Sequence, residues 1–114
     1  MLLKILITGG AGLLAPYLAE AASSIGAVSL TSRSQGDFVA DLTDPDHVHD
    51  LIAQASPDVV IHAAAWTDVD GCQQAPDLAH SINAGAVSNL ASALPQTSRL
   101  MMILASASMM KCLS

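Results

Sequence analysis

The sequence predicts an α/β fold, a doubly wound parallel sheet, from three observations. Short, mainly apolar runs recur at 2–8, 27–31, 58–62 and 100–104, the first of them nearly continuous. Stretches of helical character separate them. The first run stops abruptly at Gly9-Gly10-Ala11-Gly12. A run that is apolar on both faces is a strand buried on both sides, and strands alternating with helices form a parallel sheet with helices on each face. Right-handed crossovers then give a doubly wound sheet.

Length and charge limit the alternatives. A chain of 114 residues fits one domain. At 52% hydrophobic and 12% charged it is too apolar for a disordered chain. Four Lys and Arg against ten Asp and Glu, a net charge of −6, cannot build a basic surface for nucleic acid or a polybasic membrane anchor. No apolar run approaches the roughly 18 residues of a membrane span. Met1 to Thr8 contains one Lys but lacks an apolar core of roughly 7–15 residues and a cleavage site, so it reads as a strand, and a cytoplasmic location is expected. Cys72 and Cys112 form neither a disulfide framework nor a four-ligand zinc site and read as reduced thiols.

Each element follows in order. Leu13 to Ser24 reads as a helix with Leu14, Tyr17, Leu18, Ala21 and Ala22 on one face. Pro16 falls in its first turn, where a missing N–H costs little, and Gly26 ends it. The second strand is 27–31, and polar residues 32–37 form a loop. Phe38 to Leu42 is short and extended. Thr43-Asp44-Pro45 starts the second helix, capped by Thr43 or Asp44, and Ser56-Pro57 breaks it after Ala55. Asp58 to His62 is the third strand and 63–71 a loop. Pro76 to Leu94 reads as an Ala-rich helix, and 100–104 as the fourth strand with Met101 and Met102 in its core. His47 and His49, two apart on a helix, face different directions and read as solvated, not as a metal pair.

The chemistry concentrates where strands end. Gly9-x-x-Gly12-x-x-Ala15 lies between the first strand and the first helix. Gly9 permits the tight turn, Gly12 removes a side chain where a pyrophosphate would meet the helix N-terminus, and Ala15 permits close helix–strand packing. Free amides and the positive helix end favour a diphosphate; the alternative is a tight turn with no ligand. Beyond the second strand stands Arg33, flanked by Ser32 and Ser34, with no acid before Asp37. A base there suits a 2′-phosphate and NADP(H), unless Arg33 is only a solvated loop residue. Asp41 offers an acceptor for an adenine amino group with Leu42 near the ring, or else caps a helix. Ala63-Ala64-Ala65 at the end of the third strand lets a ligand approach the backbone. Trp66, the single Trp, borders the nicotinamide or the substrate, or packs in its loop.

These pieces resemble an extended short-chain dehydrogenase/reductase, and most closely the dTDP-4-dehydrorhamnose reductase (RmlD-like) family. The resemblance rests on 4–12, on Asp41-Leu42-Thr43-Asp44, on the specific run Pro57-Asp-Val-Val-Ile-His-Ala-Ala-Ala-Trp-Thr-Asp-Val-Asp70, and on Ser81-Ile-Asn-Ala84. It implies a Rossmann-like domain over residues 1–106, partial, followed by an atypical tail at 107–114, with the substrate domain absent. It implies NADPH or NADH as cofactor. Gly9, Gly12 and Leu13 would hold the pyrophosphate, Asp41 and Leu42 the adenine, and Ala63, Ala64 and Ala65 the nicotinamide ribose, while Asn83 falls where such proteins have an Asn on the helix beside the cofactor. Trp66 and Thr67 would face a nucleotide-sugar substrate, and Ser106 matches the catalytic Ser/Thr position. Some relatives use Mg²⁺, but the sequence shows no ligand cluster and no metal site is expected.

The chain also departs from the family. The Tyr-x-x-x-Lys pair is missing: the single Tyr is Tyr17, and Ala107 stands four residues before Lys111. In the family that Tyr gives the substrate its proton as hydride arrives. A fold that stops after about the fourth strand leaves a bare edge, and the low charge suits the inner part of a larger fold, so a truncated or frameshifted product is expected. Two rival readings are a non-catalytic NAD(P)-binding module, like the regulatory subunit of methionine adenosyltransferase, and a fragment of an NAD-dependent sugar epimerase or dehydratase. On the leading reading, the purified chain is expected to show no NADPH oxidation with dTDP-4-dehydro-6-deoxy-L-mannose above the rate without protein.

Overall fold

A computed structural model of the chain describes residues 3–10, 14–63 and 84–102. Its elements are β1 (Leu3–Thr8), α1 (Ala15–Ser23), β2 (Gly26–Ser32), β3 (Phe38–Val39), α2 (Pro45–Ala55), β4 (Val59–His62), α3 (Ala86–Ala93) and β5 (Arg99–Met102). The sheet has the order β3-β2-β1-β4-β5, and every pairing is parallel. The chain therefore starts in the middle, winds outward through β2 to β3, and returns to the other side of β1 for β4 and β5. The strand order reverses between β1 and β4, the crevice where open α/β sheets bind ligands at their carboxyl ends.

The period of two along β1 divides the interior. Leu6 joins Val60 of β4, Val48, Leu51 and Ile52 of α2, and Ala86 and Leu90 of α3 in the larger core. Ile5 and Ile7 point the other way and join Ala22 of α1, with Leu18, Ala19, Val28, Leu30, Val59 and Ile61 packed around them. Because β1 is covered on both faces, its residues 5–8 are all buried. Asp44 caps α2 by accepting from the Asp46 N–H at 2.9 Å, with Pro45 in the first turn. The helix ends at Ser56, in the left-handed region at φ 45°, whose N–H donates to the Ile52 carbonyl. Asn89 Nδ2 of α3 donates to the Leu42 carbonyl at 2.9 Å and ties α3 to the entry of α2.

Four expectations are corrected. The sheet has five strands, because Phe38–Val39 pairs with Thr31–Ser32 as an edge strand. The buried face of α1 is Ala15, Leu18, Ala19 and Ala22, while Leu14 is 42% and Tyr17 73% exposed. Alanines let the helix sit close to the sheet around Leu18, and Leu14 and Tyr17 turn outward. Gly26 does not cap α1, which ends at Ser23 with Ser24 right-handed. Gly26 starts β2, where a Cβ would lie 2.3 Å from the Leu3 carbonyl oxygen. Met101 and Met102 are 52% and 41% exposed, because β5 is the outermost strand and α1 packs over β1 and β2. Cys72, Cys112, residues 76–83 of the predicted long helix and residues 103–104 of the last strand lie outside the described residues. Among the described residues no helix is long and apolar enough to cross a membrane.

Leu90 is fully buried in the larger core, so Leu90→Ala is expected to cost about 2–5 kcal/mol of stability. Tyr17→Ala, at an exposed site, is expected to change it by less than about 0.5 kcal/mol. Urea unfolding of the two variants checks the contrast.

Candidate functional site

The site is built where β1, β2 and β4 end side by side. Thr8 closes β1, and the chain turns at Gly9 with φ 74°. A side chain in that region costs roughly 1–2 kcal/mol, so glycine belongs there. Gly10 N–H donates to the Thr31 carbonyl at 2.9 Å and pins the turn against β2. A Cβ on Gly10 would meet Leu30 Cβ at 3.0 Å, so the second glycine is needed for close approach. Helix α1 follows with Leu14 at its N-cap, no side-chain cap and Pro16 in the first turn. Among the described residues no side chain caps its leading amides, and they carry a partial positive charge at that end.

The ends of β1 and β4 are joined through one hydroxyl. Thr8 and His62 are register partners. Thr8 Oγ1 lies 2.8 Å from His62 Nδ1, and it accepts the Ala63 N–H at 3.0 Å. Thr8 is fully buried and His62 is 2% exposed. His62 Nε2 and Thr31 Oγ1 are buried without a hydrogen-bond partner. Thr31 is the partner of Thr8 on its other side, so Thr31, Thr8 and His62 form a buried polar row at the carboxyl edge. Burial pushes the His62 imidazolium pKa below its ordinary value, so the ring is held neutral.

Beyond β2 the loop is held by its own side chains. Ser32 Oγ accepts the N–H groups of Ser34 and Gln35 and donates to the Gln35 carbonyl. Asp37 accepts the Leu30 N–H at 2.8 Å and so turns back onto the strand. Arg33 is exposed in the loop after β2. Asp41 Oδ1 accepts from the Thr43 hydroxyl at 2.7 Å and from its N–H at 3.0 Å. These bonds, the hydroxyl first, hold the Asp41 carboxyl below its usual range, and the charge of Arg33 adds to them. Asp41 is thus an ionised acceptor within the field of Arg33. Leu42 turns its side chain into the larger core at 8% exposure, so it presents main chain to this edge.

Gly9, Arg33, Asp41, Leu42 and Ala63 all fall on or just past strand ends at the carboxyl edge. Gly12, Leu13, Ala64, Ala65, Trp66, Thr67, Asn83 and Ser106 lie outside the described residues. Sequence reasoning assigned no role to Gly10, Thr8 or His62. A second glycine in the doublet, and a polar residue closing each of two apolar runs, were the signals available. His47 and His49 are exposed on α2. Among the described residues no three His, Cys, Asp or Glu side chains gather as a metal site. Among the described residues, surface pockets lie elsewhere, against Lys4, Ala27 and Pro57 and against Val39, His47 and Asp50.

The profile of the RmlD substrate binding domain matches residues 3–108. The chain belongs to that family. It is 39% identical over 90 residues to a dTDP-4-dehydrorhamnose reductase of Mycolicibacterium smegmatis, covering 79% of this chain and 26% of the relative. Its fold superposes with a TM-score of 0.77 on a dTDP-4-dehydrorhamnose reductase of Bacillus anthracis solved in complex with NADP, at 28% identity, covering 88% of this chain and 35% of that one. A reductase ortholog of Clostridium acetobutylicum gives a TM-score of 0.75 at 34% identity, covering 86% of this chain and 34% of the other. The chain spans only part of the curated relatives it matches, 26% of the M. smegmatis dTDP-4-dehydrorhamnose reductase and 32% of one from Salmonella typhimurium. These RmlD-family relatives carry reductase names, which favours the reductase family over the regulatory-subunit and epimerase readings.

Because the folded His62 binds its proton more weakly than the unfolded one, its contribution to stability is complete above pH about 6.5. That contribution falls as the pH drops from there toward the folded pKa, with a limiting slope of about 1.4 kcal/mol per pH unit. Urea midpoints between pH 7.5 and 5.5 are expected to fall more steeply for the parent chain than for His62→Asn.

Proposed function

We propose that this chain is the cofactor-binding part of a dTDP-4-dehydrorhamnose reductase, which reduces dTDP-4-dehydro-6-deoxy-L-mannose to dTDP-L-rhamnose with NADPH. The observation that carries the reading is the glycine turn after β1 lying beside the β4 end at the point where strand order reverses. Family membership and the NADP complex of the B. anthracis relative support it.

The residues present fit a dinucleotide. The turn at Gly9 and Gly10 is bare of side chains, and the uncapped start of α1 lies just beyond it. On this reading Gly9, Gly12 and Leu13 hold the pyrophosphate. Asp41, ionised and fixed by Thr43, accepts from the adenine amino group, with the main chain of Leu42 alongside. Ala63, Ala64, Ala65 and Asn83 line the nicotinamide ribose. Trp66 and Thr67 face the sugar nucleotide, and Ser106 takes the catalytic Ser/Thr position. When bound, the reduced nicotinamide supplies a hydride to the carbonyl carbon. The sugar-binding and proton-donating groups fall to the part of the family's length that this chain does not span. No role is assigned to Mg²⁺, for which the described residues offer no ligand set. Reduced dinucleotides and nucleoside-diphosphate sugars are cytoplasmic metabolites, and we assign the chain to that compartment on this ground.

Preference for NADPH over NADH rests on two side chains at the end of β2. Asp37, the nearest acid, is engaged by the Leu30 N–H, while Arg33 is exposed. A guanidinium there suits a 2′-phosphate, and a free carboxylate would suit a 2′-hydroxyl. In titrations followed by Trp66 fluorescence, Arg33→Ala is expected to weaken NADP⁺ binding about tenfold, the loss of one charge-assisted bond. NAD⁺ binding is expected to change less than about twofold. Equal losses for both ligands would contradict the assignment of Arg33.

A further inference from the structure

We infer that His62 is a positioning residue: through the Thr8 hydroxyl, its imidazole holds the Ala63 amide and the Gly9 turn in the relative placement that the pyrophosphate and nicotinamide end of a dinucleotide requires. The inference rests on the cofactor reading above and deepens it.

The argument starts from an imbalance. Burying an imidazole with one nitrogen unpaired costs free energy that an apolar side chain at the same place would not cost. His62 is 2% exposed, and its Nε2 has no partner. The one hydrogen bond of the ring is at Nδ1, to Thr8 Oγ1 at 2.8 Å. The same oxygen accepts the Ala63 N–H at 3.0 Å. One hydroxyl thus links the last residue of β1, the last residue of β4 and the first residue beyond β4. It does so immediately before Gly9, whose φ of 74° starts the turn.

A hydroxyl left to itself rotates, because its torsion is soft and it offers two lone pairs and one proton. In Thr8 the imidazole is one of the partners that hold the hydroxyl in place. An orphaned buried N–H is rarer than an orphaned acceptor, so the proton belongs on Nδ1 and Nε2 is the bare nitrogen. Nδ1–H then donates to Thr8 Oγ1, which uses one lone pair for the ring and one for the Ala63 amide. Ala63 is fixed against the end of β1, and the two strand ends on either side of the switch point are coupled. The adenosine side is built differently, from Asp41 with Thr43 and from Arg33, none of which touches Thr8 or His62 in the described structure. Loss of the tie should therefore weaken one half of the ligand and spare the other.

Two ligands separate the halves. NADP⁺ engages both, and 2′,5′-ADP engages the adenosine side without the nicotinamide. Calorimetric titration of the full 114-residue chain is compared with His62→Leu, His62→Asn, Thr8→Val and Thr8→Ser. His62→Leu and Thr8→Val are expected to lose about tenfold in NADP⁺ affinity, the effect of one broken buried hydrogen bond. Both should keep 2′,5′-ADP within about twofold. His62→Asn, which retains a polar group near the Nδ1 place, and Thr8→Ser, which retains the hydroxyl, are expected to restore NADP⁺ binding to within about threefold of the parent. Long-range ¹H–¹⁵N spectra of the parent are expected to show the ring proton on Nδ1. If His62→Leu fails to fold, the Thr8→Val and Thr8→Ser pair carries the same comparison. Equal loss of both ligands, or no loss of either, overturns the inference and leaves the cofactor reading standing. A ring proton on Nε2 also overturns it. A parent chain that binds neither ligand overturns both.

Discussion

The structure depends on the requirement that β1 be buried on both faces and paired on both edges. A strand in that position exposes no backbone group to water, so every N–H and C=O along it needs a neighbour, and both sets of side chains need a helix layer. Ile5 and Ile7 draw α1 onto one face, and Leu6 draws α2 and α3 onto the other. Pairing with β2 on one side and β4 on the other makes β1 the place where the winding reverses. The candidate site is a product of that reversal: the strand ends of β1 and β4 lie side by side, while α1 covers one face of the sheet and α2 and α3 the other.

The polar row across the strand ends completes the picture. Thr31, Thr8 and His62 are successive register partners, all buried, at the level where the hydrophobic sheet gives way to the site. Below them the interior is aliphatic. Above them lie Gly9, Gly10 and Ala63, residues with little or no side chain, so that this level presents mostly main chain. The row is the transition between a layer that excludes water and a layer that offers amides, and the interior beneath stays closed to solvent.

Much of this was legible in the sequence, and what was not has identifiable causes. The buried strands show because burial on both faces leaves no polar alternation, and α2 shows because Asp44 and Pro45 mark its start. The buried face of α1 was misassigned because a helical stripe of Ala, Leu and Tyr reads by hydropathy, whereas close packing selects by size and turns Tyr17 out. A two-residue strand has no period, so β3 appeared only as extended chain. Met101 and Met102 are as apolar as any core residue, and only the position of β5 at the margin of the sheet exposes them. At the site, Gly9 and Asp41 could be picked out because what the structure shows of them, a left-handed turn and the bonds to Thr43, is local. The Thr8–His62 pair could not, since the two residues stand 54 apart and only the β1–β4 register brings them together.

The same order of strands has a consequence for how the protein is made. β1 emerges first, and its partner on one side, beginning at Gly26, follows soon after. Its partner on the other side begins at Val59. At a synthesis rate of roughly 5–20 residues per second, the central strand of the described sheet stands with one edge open for several seconds while α1, β2, β3 and α2 are already available to fold. The nascent chain therefore passes through a stage in which half a sheet is complete and its middle strand is, for that interval, an edge. Any factor that attends its birth would have to recognise that strand before β4 closes over it.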